Sequence, residues 1–113
     1  GLWEFRTREA VHTYSAVMCW AAADRLARVA HTLGLDERVD YWAHAADRMR
    51  GEIERRAWSE GSSRYGATFD SDDLDASLLQ LVDLGFVDAG NPRFQSTFDA
   101  VERGLRRGEH MLR

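Results

Sequence analysis

The sequence contains no lysine: its 15 basic residues are all arginine, spread among 19 acidic ones for a formal net charge of −4. Without a clustered basic stripe nothing can neutralise a run of phosphates, so nucleic-acid binding is not expected. The nearest approach, Arg103, Arg106 and Arg107, is interleaved with Glu102 and Glu109, the pattern of a solvated helix face. The single cysteine, Cys19, has no internal partner and favours a reducing, cytoplasmic setting. Lying between Met18 and Trp20, it reads as a small buried hydrophobe rather than a nucleophile. No apolar run reaches the roughly 18 residues of a membrane helix, so no membrane span is expected. The opening Gly1-Leu2-Trp3-Glu4 lacks the basic and apolar regions of a secretory signal, and none is expected. There is one proline, which leaves helices largely uninterrupted.

What is present suits one globular unit. With 113 residues, 44% apolar and 30% charged, the chain can bury a core but cannot make two full domains. Apolar residues at three- and four-residue steps predict a first helix over about 8–33, with Val11, Met18, Ala22, Leu26, Val29 and Leu33 on its stripe. Gly34 follows where a left-handed cap belongs. A second helix, about 36–58, starts at Asp36 as N-cap and carries Val39, Trp42, Ala46, Met49 and Ile53. So short a linker folds the two back as an antiparallel hairpin. A third helix is predicted over about 73–84, with Leu74, Leu78, Leu81 and Val82 inward and a stop at Gly85. A fourth, about 92–107, is announced by Asn91 as N-cap and Pro92 at the first helical position, with Phe94, Phe98, Val101 and Leu105 inward. No sheet is expected, although Tyr65, Thr68 and Phe69 hint at a short extended piece. The predicted class is all-α, two consecutive antiparallel hairpins.

Between the hairpins, Glu60 to Asp72 is a polar, Gly- and Ser-containing stretch whose length of about 13 residues marks it as functional or mobile. Tight hairpins make the first and third helices parallel. The entry segment Gly1–Thr7 and the loop 60–72 are therefore expected on one face, where a site would assemble.

Little here carries chemistry unaided. His12, His31, His44 and His110 show no paired ligand spacing, so no metal is expected. The run Asp70, Asp72, Asp73, Asp75 lacks a calcium-loop spacing, and capping of the third helix accounts for at least one of these acids. There is no glycine-rich phosphate loop and no nucleophile elbow, hence no cofactor. Trp20, Trp42 and Trp58 sit in helical register as core residues. By itself Glu4 is an ordinary surface carboxylate beside Trp3.

Taken together, several segments resemble glycoside hydrolase family 15, in particular bacterial glucoamylase-like and trehalase-like members. They are Gly1-Leu2-Trp3-Glu4-Phe5-Arg6, His12-Thr13-Tyr14-Ser15, Val17-Met18-Cys19-Trp20, Asp24-Arg25, Arg56-Ala57-Trp58, Asp73-Leu74-Asp75-Ala76-Ser77-Leu78-Leu79, Gly85-Phe86 and Pro92-Arg93-Phe94. The resemblance spans roughly residues 1–107. It implies an (α/α)6 barrel of which residues 1–113 are an internal fragment, two hairpins of six. It also implies inverting hydrolysis of an α-glucoside, either maltooligosaccharide or trehalose, with Glu4 as general acid. Trp3 and Phe5 are apolar neighbours able to desolvate that acid. Trp3, Arg6, Tyr65 and Phe69 are the candidates for sugar contact, although core packing for Trp3 and an ion pair to Glu9 for Arg6 stand beside those roles. Inversion also needs a second carboxylate roughly 6.5–9.5 Å away to activate water. Nothing in this chain resembles it. Thr7-Arg8 and Ala16 also depart from the family pattern, which bears on the loop's shape. The expected partner is the remainder of the barrel or a second copy; the alternative function is a non-catalytic helical packing module.

Overall fold

The computed structural model describes residues 11–71 and 73–107. Helix α1 (Thr13–Thr32) and helix α2 (Asp36–Ala57) form an antiparallel hairpin, the most extensive contact between elements. Two short strands follow, β1 (Trp58–Ser59) and β2 (Arg64–Tyr65). A 3-10 turn (Ala76–Leu79) then runs into a single α turn, α3 (Gln80–Asp83), and helix α4 (Pro92–Arg106) ends the described chain.

The turn signals hold. Gly34 takes φ +74 at the end of α1 and Gly85 takes φ +78 after α3, conformations that cost glycine nothing. The amide of Leu35 reaches back 2.9 Å to the Ala30 carbonyl and closes the α1 terminus. Asn91 Oδ1 accepts from the amides of Arg93 (2.8 Å) and Phe94 (3.3 Å), so α4 starts where the Asn-Pro pair predicts. Asp36 is not the cap of α2: Leu35 holds that position without a side-chain bond, and Asp36 opens the first turn, facing the positive end of the helix.

The face that α1 buries is not the predicted one. Met18 (46% exposed), Leu26 (44%), Val29 (55%) and Leu33 (63%) point to solvent. Ala16, Val17, Trp20, Ala21, Ala23 and Ala30 are buried instead. Small side chains at Ala16, Ala23 and Ala30, with Ala45, Ala46 and Ala57 opposite, let the two backbones approach closely, and the bulky stripe is turned outward. The expected stripe of α2 does face the core, with Ala46 and Ile53 buried and Trp42 and Met49 packed at the edge. Phe94 and Val101 of α4 are buried. Phe98 and Leu105 are exposed, with Thr97, Ala100 and Gly104 inward in their place.

The predicted third helix starts later, and first as the 3-10 turn: Asp75, in extended conformation (φ −154), caps that turn by accepting 2.9 Å from the Ser77 amide, and only Gln80–Asp83 is α-helical. Leu78 and Leu81 fill the core beside Trp20 and Phe86, whose rings meet edge to face at 5.2 Å. The expected absence of a sheet is corrected on a small scale: β1 and β2 pair antiparallel, Trp58 opposite Tyr65 and Ser59 opposite Arg64. Tyr65 needs that turn to bring its ring inside, where it is fully buried.

The loop and the entry to α1 are joined. His12 and Thr68 form an antiparallel bridge, the Phe69 amide donates 2.8 Å to the Val11 carbonyl, and the Thr13 amide donates 2.8 Å to the Ala67 carbonyl. The loop therefore lies at the N-terminal end of α1, the side expected of it. Gly1–Thr7 falls outside the described residues.

Candidate functional site

The loop face is built from the last turns of α2. Glu52, Arg55 and Arg56 end that helix on its polar side, and Trp58 starts the return into β2. Arg56 is the centre of the ion network. Its Nη2 and Nε reach Asp70 Oδ2 at 2.7 and 3.2 Å, and its Nη1 reaches Glu52 Oε2 at 3.2 Å. Its guanidinium also lies 5.0 Å from the Phe69 ring centre. The Asp70 hydrogen bond, and behind it Glu52, raise the Arg56 pKa further above its ordinary range. Asp70 adopts φ +60 and donates its amide to the Arg56 carbonyl at 2.8 Å, so the pair is tied through backbone and side chain together. Arg55 pairs with Glu52. Arg55, Arg56, Trp58, Ser59, Asp70 and Ser71 wall a cleft of about 320 Å³.

Behind this surface a second polar cluster anchors the loop. The Tyr65 hydroxyl donates 2.7 Å to Glu54 Oε1, and the Tyr65 amide donates 2.8 Å to Thr97 Oγ1. Arg93 Nη1 stands 3.8 Å from Glu54 Oε2 with its guanidinium 4.5 Å from the Trp58 ring centre. Burial, then the Glu54 carboxylate, push the Tyr65 phenol well above the usual tyrosine range. Ser71 Oγ and Thr68 Oγ1 are 2.7 Å apart and close the loop tip.

Of the residues singled out from sequence, Trp3, Glu4 and Arg6 lie outside the described residues. Tyr65 and Phe69 are brought together beneath the loop, but both are core residues, 0% and 6% exposed. Tyr65 packs edge-on against Trp58 at 5.2 Å, and Phe69 lies under Arg56. In this structure they shape the loop from behind and present no open face. Trp20 is core, as expected, whereas Trp42 and Trp58 are only partly buried. Cys19 is half-buried rather than enclosed, and burial pushes its thiol up, away from the reactive thiolate. Among the described residues no three His, Cys, Asp or Glu side chains converge as a metal site, and no helix is long and apolar enough to cross a membrane.

Sequence reasoning missed the pairing of Arg56 with Asp70. The only available signal was Asp70 itself, in an acidic run that reads more simply as caps. A larger cleft, about 670 Å³, follows the groove between α1 and α2 toward Gly34, lined by Trp20, Asp24, Asp47 and Arg50 among others. It opens at the opposite end of the hairpin from the loop.

Comparison with known proteins covers nearly the whole chain. The model of the family described as glycosyl hydrolases family 15 matches residues 1–110. A trehalase of Thermoplasma volcanium is 33% identical over 92% of this chain, and a trehalase of Thermoplasma acidophilum is 34% identical over the same share. A trehalase of Mycobacterium tuberculosis is 35% identical over the whole chain. The chain spans only 16–18% of the length of these relatives. No solved structure matches.

Proposed function

The chain belongs to glycosyl hydrolase family 15, and from that premise we propose that it is the part of an inverting α-glucoside hydrolase that supplies the general acid, Glu4. An all-α piece of an (α/α)6 barrel accounts for its helical hairpin and for the apolar stripe that α1 leaves uncovered. The observation that carries the reading is the family match over residues 1–110, which includes Trp3-Glu4. The name trehalase, shared by the relatives above, favours trehalose over maltooligosaccharide as substrate.

In this reading Glu4 delivers its proton to the glycosidic oxygen as the C–O bond breaks, so the leaving sugar is expelled as a neutral alcohol. Trp3 and Phe5 desolvate the carboxyl and favour its protonated form. Trp3 and Arg6 contact the sugar, while Tyr65 and Phe69 support the loop at the rim. A second carboxylate from elsewhere in the intact protein activates water on the opposite face of the ring. The remainder of the barrel is the partner of this piece. The alternative, a helical module that only packs, draws on the exposed stripe of α1 and lacks any account of the Trp-Glu segment.

The deciding experiment is Glu4→Gln in the intact protein, assayed on trehalose, maltooligosaccharides and α-glucosyl fluoride. Loss of about 10²–10⁴-fold is expected on the preferred disaccharide. A much smaller loss is expected on the fluoride, whose leaving group needs little protonation. Wild-type rates on trehalose and maltooligosaccharides alike would remove Glu4 from the role.

A further inference from the structure

The residues that launch α1 take their backbone partners from one short segment. The Phe69 amide donates 2.8 Å to the Val11 carbonyl, His12 bridges Thr68, and the Thr13 amide donates 2.8 Å to the Ala67 carbonyl. The same segment is pinned at both ends to the last turn of α2. Gly66 and Asp70 donate their amides, at 2.7 and 2.8 Å, to the carbonyls of Ala57 and Arg56, which the helix end leaves without partners of its own. Residues 66–70 are thus a strap between the end of α2 and the start of α1. Glu4 precedes Val11 by seven residues, so the strap fixes the point from which the Trp3-Glu4 segment departs.

One position of the strap is set against its own backbone preference. Asp70 takes φ +60, the left-handed region that glycine enters freely and a residue with a Cβ enters at a cost. Such conformations persist where the surroundings over-determine them, and they concentrate at functional sites. What an aspartate brings there and a glycine would not is a carboxylate. Its Oδ2 accepts from Arg56 Nη2 at 2.7 Å and Nε at 3.2 Å, while Glu52 holds the same guanidinium from its other end at 3.2 Å. That guanidinium lies 5.0 Å from the centre of the Phe69 ring, so one arginine fixes two consecutive residues of the strap. The pair is open to water, with side chains 36% exposed at Arg56 and 63% at Asp70, and an ion pair so placed adds little to global stability.

We propose that Arg56 and Asp70 are positioning residues for the general acid: by fixing the strap they set the entry of α1, and with it the placement of Glu4 against the glycosidic oxygen. The inference rests on the reading of Glu4 as the acid. It gives neither Arg56 nor Asp70 a contact with sugar or a proton to transfer.

The test compares turnover by the intact protein on two substrates. One is the glucoside it cleaves faster, trehalose or a maltooligosaccharide; the other is α-glucosyl fluoride, whose departure needs little protonation. Asp70→Gly relieves the left-handed backbone and removes the carboxylate, so its denaturant midpoint should stay close to that of the wild type. Its rate on the glucoside should nevertheless fall roughly tenfold, within the ~10²-fold that a small misplacement costs, with little loss on the fluoride. Arg56→Gln should show the same selective loss, and Arg56→Lys, which keeps the charge but not the fork, a smaller one. Because the pair acts as a unit, combining Asp70→Gly with Arg56→Gln should cost no more than either alone. In a Glu4→Gln background, Asp70→Gly should cost nothing further on the glucoside. Equal losses on glucoside and fluoride overturn the proposal, as do wild-type rates in both single variants or losses that multiply in the double one. Further loss from Asp70→Gly on top of Glu4→Gln overturns it too, by showing a route that bypasses the acid. Glu4→Gln alone judges the underlying reading. Wild-type rates there remove that reading and the proposal together, whereas a selective loss there with none in the Arg56 and Asp70 variants removes only the proposal.

Discussion

Thr13 and Gly66 are 53 positions apart, and the Thr13 hydroxyl donates a buried hydrogen bond to the Gly66 carbonyl. His12, the N-cap of α1, offers no side-chain bond, so the helix start is capped by the loop instead. Two otherwise separate parts of the chain, the entry to the first helix and the connection between hairpins, thus form one local structure. Whatever Trp3-Glu4 does, it leads into a helix whose first turn is held by residues 66–69.

Gly66 should not accept a side chain. A Cβ there would collide with the Ser71 carbonyl, with the carbonyl carbon at 2.9 Å and the Thr68 oxygen at 3.2 Å, and all of these are backbone atoms. Gly66→Ala is expected to destabilise the chain by roughly 1–3 kcal/mol, since the loop must shift away from α1. Denaturant midpoints of the two proteins check this; an unchanged midpoint would mean that the loop yields freely.

Tyr65 makes stability sensitive to alkali. Its phenol titrates higher folded than unfolded, so above the ordinary tyrosine value of about 10 the unfolded chain releases a proton that the folded one keeps. The contribution is whole below that pH and is lost as pH climbs toward the folded value. Tyr65→Phe should cost about 1.5–3 kcal/mol near neutrality by removing the bond to Glu54, and should flatten the decline above pH about 10. Urea unfolding at stepped pH reads both effects, and parallel alkaline slopes would contradict the assignment.

The two caps should behave alike. Asn91→Ala and Asp75→Ala each remove a side-chain acceptor from a helix start and should cost about 0.5–2 kcal/mol. Asp75→Asn should cost less, because the amide oxygen still accepts from Ser77. In the intact protein, turnover per folded molecule should be unchanged in all three, since none touches the sugar; a selective loss of rate at Asp75 would give it a role in the reaction.

On the proposed reading of Glu4, the 113-residue chain alone should hydrolyse nothing, because an acid without its opposing base cannot complete an inverting displacement. It should also self-associate through Met18, Leu26, Val29 and Leu33. Light scattering that finds only a 12.9 kDa monomer would contradict the second expectation.

How much of this was readable beforehand depended on whether the signal was local. Gly34, Gly85 and Asn91-Pro92 act within a few residues, and the turns appear where those residues stand. The α1 stripe misled because bulk was taken as the mark of burial, whereas alanines at 16, 23 and 30 decide where a second helix can come close. The late start of the third helix hung on which of several neighbouring aspartates caps it. At the site, Glu4 is singled out by its surrounding motif alone and lies outside the described residues. The Arg56–Asp70 pair was not legible, because it joins residues 14 apart through a left-handed aspartate that no local rule requires.

The sidedness of the first hairpin has a consequence for the order in which the intact molecule assembles. α1 and α2 are joined by so short a turn that their alanine-lined faces meet with little loop entropy to overcome, and they can form as soon as both have left the ribosome. The outer surface of α2 is solvated by Glu37, Arg38, Asp40, His44, Asp47 and Arg48, whereas α1 leaves Met18, Leu26 and Val29, with Leu33 at its end, uncovered. The early hairpin is thus asymmetric, inert on one side and adhesive on the other. Until neighbouring elements cover it, the strip of Met18, Leu26, Val29 and Leu33 is where a nascent chain is exposed to aggregation.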